Sequence, residues 1–198
     1  MKKHGLLLFV LLVVMSIVTA CSVEKGLANG KDLTIKKRTL TADEEMLIWN
    51  AGGSTMAQHF EIGGTIPDGH ILEFIVEEYE KGEFVHDRAS TPVEGELGDA
   101  RGIGFGGGRD GEENTLVFAS PGGKSEMIIE NFEGTSASTW GELMSKVVRI
   151  NLDDPVYLAY WIGTFEDEIS ANYSAENNYE DLKNHDKSFL LKAELKKK

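Results

Sequence analysis

The side chains best equipped for chemistry in this chain are aromatic rings and carboxylates, and the two kinds meet where the turn Asp153-Asp154-Pro155 runs into Val156–Phe165. Read at a period of two, that segment places Tyr157, Ala159 and Trp161 on one face and Val156, Leu158, Tyr160 and Ile162 on the other. Two flat rings on an exposed face, with Asp153 and Asp154 beside them, can stack on a sugar and bond its hydroxyls. The same rings would also fill a sandwich core, and Trp49 and Trp140 carry both readings too.

Carboxylates gather in four places: Asp110 with Glu112, Glu113 and Asn114; Asp153 with Asp154; Glu166 to Glu168; and Asp181 with Asn184 and Asp186. Calcium takes about six to eight oxygens from loops of this kind, which makes Asp110, Glu112 and Glu113 candidate Ca2+ ligands, although none of the four has the spacing of an EF-hand loop. No other cofactor is implied. Glycoside hydrolysis would need two carboxyl groups roughly 5 to 10 Å apart across a cleft, a distance that spacing along a chain does not reveal.

Several familiar arrangements fail on inspection. Gly102-Ile103-Gly104-Phe105-Gly106-Gly107 matches G-x-G-x-x-G letter for letter, but Gly108-Arg109-Asp110-Gly111 follows where a helix should open toward a pyrophosphate. Gly52-Gly53-Ser54-Thr55-Met56 lacks the second glycine of a nucleophile elbow. His59, His70, His86 and His185 show neither H-x-H nor H-E-x-x-H spacing, so a metal site would require residues far apart in sequence to converge.

The elements that would carry these residues are mostly strands. Alternating segments separated by glycine turns dominate, with few stretches at a helical period. Leu33 and Ile35 alternate with polar residues ahead of Lys36-Lys37-Arg38, a basic strand suited to edge protection or to lipid headgroups. Met46–Ala51, Met56–Ile62 and His70–Tyr79 read as strands, the last competing with a helix over Ile71–Tyr79; Lys81-Gly82 turns the chain into Phe84–Arg88. Between Thr91 and Asn114 lie eight glycines, and Arg101, Ile103 and Phe105 alternate with glycine, predicting a strand with one bare face against which something packs closely. Thr115–Ser120 and Lys124–Asn131 form a second hairpin. Thr139-Trp140-Gly141-Glu142 fits a capping box and predicts a helical turn before the strand Val147–Leu152. After Val156–Phe165, the acidic stretch Glu166–Asp186 reads as a loop or a short helix around Tyr179–Lys183, and Ser188–Leu195 as the last strand, with Lys196–Lys198 as a solvated tail. Eight to ten short strands with at most short helices predict a mainly β fold, an antiparallel β-sandwich or jelly-roll-like domain over residues 32–198.

The N-terminus decides where that domain works. Lys2, Lys3 and His4 precede thirteen residues, Leu6–Val18, that are apolar except for Ser16, the length of a signal-peptide core and short of the ~20 needed to span a bilayer. The run ends in Val18-Thr19-Ala20-Cys21, which resembles the lipobox of bacterial lipoproteins. The resemblance implies cleavage after residue 20, a diacylglyceryl group on the Cys21 thiol and an acylated new N-terminus. Cys21 is the single cysteine of the chain, standing where the lipid chemistry needs it, and two or more acyl chains hold a protein on a membrane far more firmly than one. Residues 21–31 are polar and contain Gly26 and Gly30, a flexible tether.

The formal charge of −13 becomes −15 once the two signal lysines are removed. Phosphate contact needs basic patches, so nucleic acid is excluded as an expected partner. With no second cysteine, the domain must be stable by packing alone. The expectation is a lipid-anchored protein on the extracytoplasmic face of the cell membrane whose sandwich binds an envelope glycan, a protein partner or a small ligand. An envelope glycoside hydrolase and a purely structural or assembly component are the alternatives.

Overall fold

The alternating segments are strands in the computed structural model, which describes residues 32–50, 57–95, 97, 102–110, 113–121, 123–129, 137–169 and 179–198. The predicted signal peptide, Cys21 and the tether lie outside the described residues, as does Glu112. Leu33–Lys198 is one compact unit. Among the described residues, no helix is long and apolar enough to cross a membrane.

Eleven described strands form two antiparallel sheets, so the chain is mainly β and its architecture is that of a sandwich. The six-stranded sheet contains β1 (Thr34–Lys37), β2 (Ala57–Gly63), β5 (Gly102–Asp110), β6 (Glu113–Ser120), β7 (Gly123–Ile128) and β9 (Val148–Arg149), in the order β7-β6-β5-β2-β1-β9. The five-stranded sheet contains β3 (His70–Glu80), β4 (Glu83–Val93), β8 (Ala137–Glu142), β10 (Val156–Thr164) and β11 (Lys187–Lys197), in the order β4-β3-β11-β10-β8. Between the sheets lies one apolar core, to which Ile35, Phe60 and Ile62, Phe105 and Phe118 contribute from one side and Phe74, Trp161, Phe189 and Leu191 from the other. Lys37 Nζ reaches Glu142 Oε2 at 2.7 Å, an ion pair that links β1 of one sheet to β8 of the other.

Two expectations about helices fail together. Met46–Ala51 is not a strand: Ala42–Asn50 is an α-helix, α1. The Thr41 amide donates to Glu44 Oε2 at 2.9 Å and the Glu44 amide to Thr41 Oγ1 at 3.3 Å, a reciprocal cap. Asp43, Glu44 and Glu45 also place negative charge in the first turn, where the helix dipole favours it. The other T-x-x-E, Thr139–Glu142, is strand β8, because Ala159, Tyr160 and Trp161 of β10 pair with Glu142, Gly141 and Trp140. An open neighbouring strand outweighs a cap worth about 1 kcal/mol.

The hairpin at Lys81-Gly82 is a two-residue loop with positive φ at both positions (51° and 90°), the geometry that matches strand twist. The glycine-rich strand is present as β5, and its two faces meet different neighbours. On the outer face, a Cβ on Gly104 would stand 3.6 Å from the His59 ring; on the inner face, one on Gly107 would stand 3.0 Å from Trp161 Cδ1. The last strand runs on through Lys197, and the expected solvated tail is tied down: Lys196 Nζ pairs with Glu73 Oε2 at 2.9 Å and Lys198 Nζ with Glu94 Oε2 at 2.6 Å.

Candidate functional site

Tyr157 and Trp161 do not share a face. In the pairing of β10 with β11, Tyr157 opposes Lys192 and Ala159 opposes Leu191, leaving Leu158 as an extra residue. Such a bulge inverts the alternation beyond it. Leu158, Ala159 and Trp161 therefore enter the core between the sheets, whereas Tyr157, Tyr160 and Ile162 belong to a second apolar cluster on the outer face of the five-stranded sheet. Trp161 is 2% exposed, so the expected aromatic platform is corrected to one outward ring, Tyr157, and one core ring. Asp153 and Asp154 are exposed in their turn, with Asp154 Oδ2 accepting from Asn151 Nδ2 at 3.2 Å. Of the expected calcium ligands, Asp110 and Glu113 are register partners at the end of the β5–β6 hairpin. Among the described residues, no three His, Cys, Asp or Glu side chains gather as a metal site.

What the fold does bring together lies at the end of the five-stranded sheet that carries the Lys81-Gly82 turn. The Lys81 amide donates to the His185 carbonyl at 2.9 Å and the Gly82 amide to the Lys183 carbonyl at 2.7 Å, binding the turn to the 3-10 helix Tyr179–Asn184 and the residue after it. Asp186 accepts from the Phe165 amide at 3.0 Å and from Thr164 Oγ1 at 2.9 Å, which ties the end of β10 to the same place. Those donors hold the Asp186 carboxyl below its ordinary pKa, the Phe165 amide most of all, so it is ionised at neutral pH.

On the inner face of this end, Glu78 is buried between the cations of Lys187 and Arg88. Lys187 Nζ lies 2.8 Å from Glu78 Oε1 and Arg88 Nε 2.8 Å from Oε2, with His86 Nε2 at 3.5 Å. Arg88 arrives there because β4 carries an extra residue between Ala89, which faces Val76, and Asp87, which faces Glu77. On the outer face, Glu77 accepts from the Tyr79 hydroxyl at 2.9 Å and the Tyr157 hydroxyl at 3.0 Å, and Lys192 Nζ stands 2.6 Å from its other oxygen. Tyr157 stacks on Tyr179 with 4.7 Å between ring centroids. Burial first, then the Glu77 carboxylate, push both Tyr79 and Tyr157 above the ordinary tyrosine pKa, so both remain neutral donors. The two buried carboxylates of β3 thus face opposite sides of one sheet, each neutralised by a lysine, and do not form a cleft pair for glycoside hydrolysis.

At the tip, large apolar side chains face solvent: Phe84 is 55% and Val85 44% exposed. Phe84 meets the edge of Tyr79 at 5.7 Å, and the residues flanking the turn line an open concavity of about 550 Å³. Sequence reasoning found Tyr157 but missed Tyr79, Phe84 and Lys183; the signal available for Phe84 and Val85 was a pair of adjacent apolar residues at a hairpin tip, where polar ones are the rule.

A family model described as YgaN, the YgaN domain, matches residues 34–195. Neither the curated proteins nor the solved structures compared with the chain include a match.

Proposed function

The chain belongs to the YgaN domain family, and on that premise we propose that it is a lipid-anchored module of the cell envelope that binds a partner through the apolar tip of its β3–β4 hairpin. The observation that carries the reading is the contrast at that tip: Phe84 and Val85 are exposed on a backbone whose turn amides are already committed to His185 and Lys183. A rigid apolar surface binds with less ordering cost than a mobile one. The anchor half of the reading rests on Leu6–Val18 and Val18-Thr19-Ala20-Cys21. The eleven residues 21–31 could extend about 35 Å, letting a body with a charge of −15 stand clear of anionic headgroups.

Cys21→Ala is expected to abolish incorporation of labelled palmitate and to move the protein from the membrane fraction to the soluble one. Retained label in that variant would remove the anchor from the proposal. For the tip, a photo-crosslinking residue in place of Phe84 is expected to give a discrete adduct on intact cells, and the same residue in place of Glu126, exposed on β7 of the other sheet, none. Equal labelling from both positions, or none from either, counts against a partner at the tip.

A further inference from the structure

The ammonium of Lys183 sits over three aromatic rings at once. Its Nζ lies 5.0 Å from the centroid of Tyr79, 5.6 Å from Tyr157 and 5.5 Å from Tyr179. Each is within the ~6 Å at which a ring quadrupole attracts a cation, and the attraction strengthens when water is excluded. Beside the rings, the buried Glu77 carboxylate, itself paired with Lys192, accepts from two of their hydroxyls and fixes their orientation.

The walls and the occupant differ in how they are held. Tyr79 and Tyr157 stand on β3 and β10, each hydrogen-bonded to strands on both sides, and the Glu77 bonds fix their hydroxyls. Lys183 comes from a six-residue 3-10 helix whose buried side chain is Leu182, and its ion partner Glu180, at 2.8 Å, is 61% exposed. The Lys183 side chain is itself 16% exposed, but Glu180 is open to solvent, so the ion pair between them is screened and holds the ammonium less firmly than a fully buried pair would.

We infer that the Tyr79–Tyr157–Tyr179 cluster is a recognition site for an alkylammonium group, and that Lys183 is a ligand surrogate that keeps it filled until an external cation displaces it. The site lies on the outer face of the sheet, beside the hairpin tip whose Phe84 meets the edge of Tyr79, and does not depend on the lipid anchor. A primary alkylammonium such as a lysyl side chain and a quaternary headgroup share the required chemistry. The cage discriminates against anions because the ring faces are negative, and against small hydrated metal ions because it offers no set of oxygens that could replace their water.

The test uses the full chain in detergent with 13C-labelled tyrosine, titrated with methylammonium and with tetramethylammonium against sodium chloride of equal ionic strength. Lys183→Ala is expected to give saturable shifts of the cage tyrosines at a Kd at least tenfold below that of the wild type. Adding Tyr157→Leu in that background is expected to remove them. Tighter binding of methylammonium would point to a lysyl ligand and tighter binding of tetramethylammonium to a quaternary headgroup. The absence of a saturable shift in folded Lys183→Ala, or identical responses in variant and wild type, would overturn the inference. Should Lys183→Ala fail to fold, Glu180→Gln loosens the occupant without deleting it: a severalfold tighter Kd than wild type supports the site, and an unchanged Kd rejects it.

Discussion

Trp161→Ala is expected to lower the unfolding free energy by about 3 to 5 kcal/mol, measured as a loss of midpoint in urea at unchanged slope. Trp161 lies at the centre of the inter-sheet core, tilted against Phe189 at 5.7 Å and directly over the Gly107 backbone of the opposite sheet. Deleting the indole leaves a cavity that two sheets of paired strands cannot close by collapsing. The same geometry predicts how Gly107 will behave. A Cβ there would come within 3.0 Å of Trp161 Cδ1 and 3.2 Å of Nε1, so Gly107→Ala should destabilise the wild type by about 1 to 3 kcal/mol, as overpacking does. Combined with Trp161→Ala it should be neutral or stabilising, because the new methyl group enters the vacated space. A coupling of about 1 kcal/mol or more in the double-mutant cycle is the expected signature; additive effects would show that Gly107 is glycine for some other reason.

Lys187→Met is expected to cost about 3 kcal/mol at neutral pH, although methionine keeps the apolar stem. The loss comes from leaving Glu78, 2% exposed, with Arg88 as its remaining cationic neighbour. Changing both partners, Lys187→Met with Glu78→Leu, should recover only part of the loss, since an apolar pair avoids desolvating two charges but takes the Glu78 carboxylate away from Arg88. In the folded protein burial pulls the Lys187 pKa down, but hydrogen bonds and charge from Glu78 and Glu80 outweigh it, and the net direction is upward. A lysine pKa raised on folding contributes stability that is complete below the unfolded value of about 10.4 and is lost as pH rises through the folded value. The gap between wild type and Lys187→Met should therefore hold from neutral pH to about pH 10 and narrow above it, as followed by thermal melting. A gap that vanished between pH 7 and 9 would contradict the assignment.

The strands were largely legible because the inward-facing side chains are apolar and most outward-facing ones are polar, the outer cluster around Tyr160 and Leu190 excepted. Ser188–Leu195 shows the alternation that the structure uses, with Phe189, Leu191, Ala193 and Leu195 turned inward. The strand hidden among the glycines was legible for the same reason: Ile103 and Phe105 alternate into the core. Misreadings occurred where two local signals of similar strength competed. Thr41–Glu44 and Thr139–Glu142 present the same capping pattern, and only the pairing of Trp140 with Trp161 makes one of them a strand. The expected ring platform failed for a reason outside any alternation rule, since one unpaired residue, Leu158, sends Tyr157 and Trp161 to opposite faces.

By itself, the sequence determined the period of two, the turns at Asp68-Gly69 and Lys81-Gly82, and hence a mainly β chain of two antiparallel sheets; these are local properties, set by side-chain alternation and by which residues tolerate positive φ. It also supplied the N-terminal pattern on which the proposed anchor depends. Tertiary structure alone decided that Glu77 and Glu78, adjacent in sequence, would serve different clusters on opposite faces, and that Lys183 would cross from the 3-10 helix to the rings of Tyr79 and Tyr157. Those partners are separated by up to 115 residues, the distance from Glu77 to Lys192, and they meet because β11 lies between β3 and β10. No spacing along the chain encodes that order of strands, which is chosen by the fit of whole faces against one another.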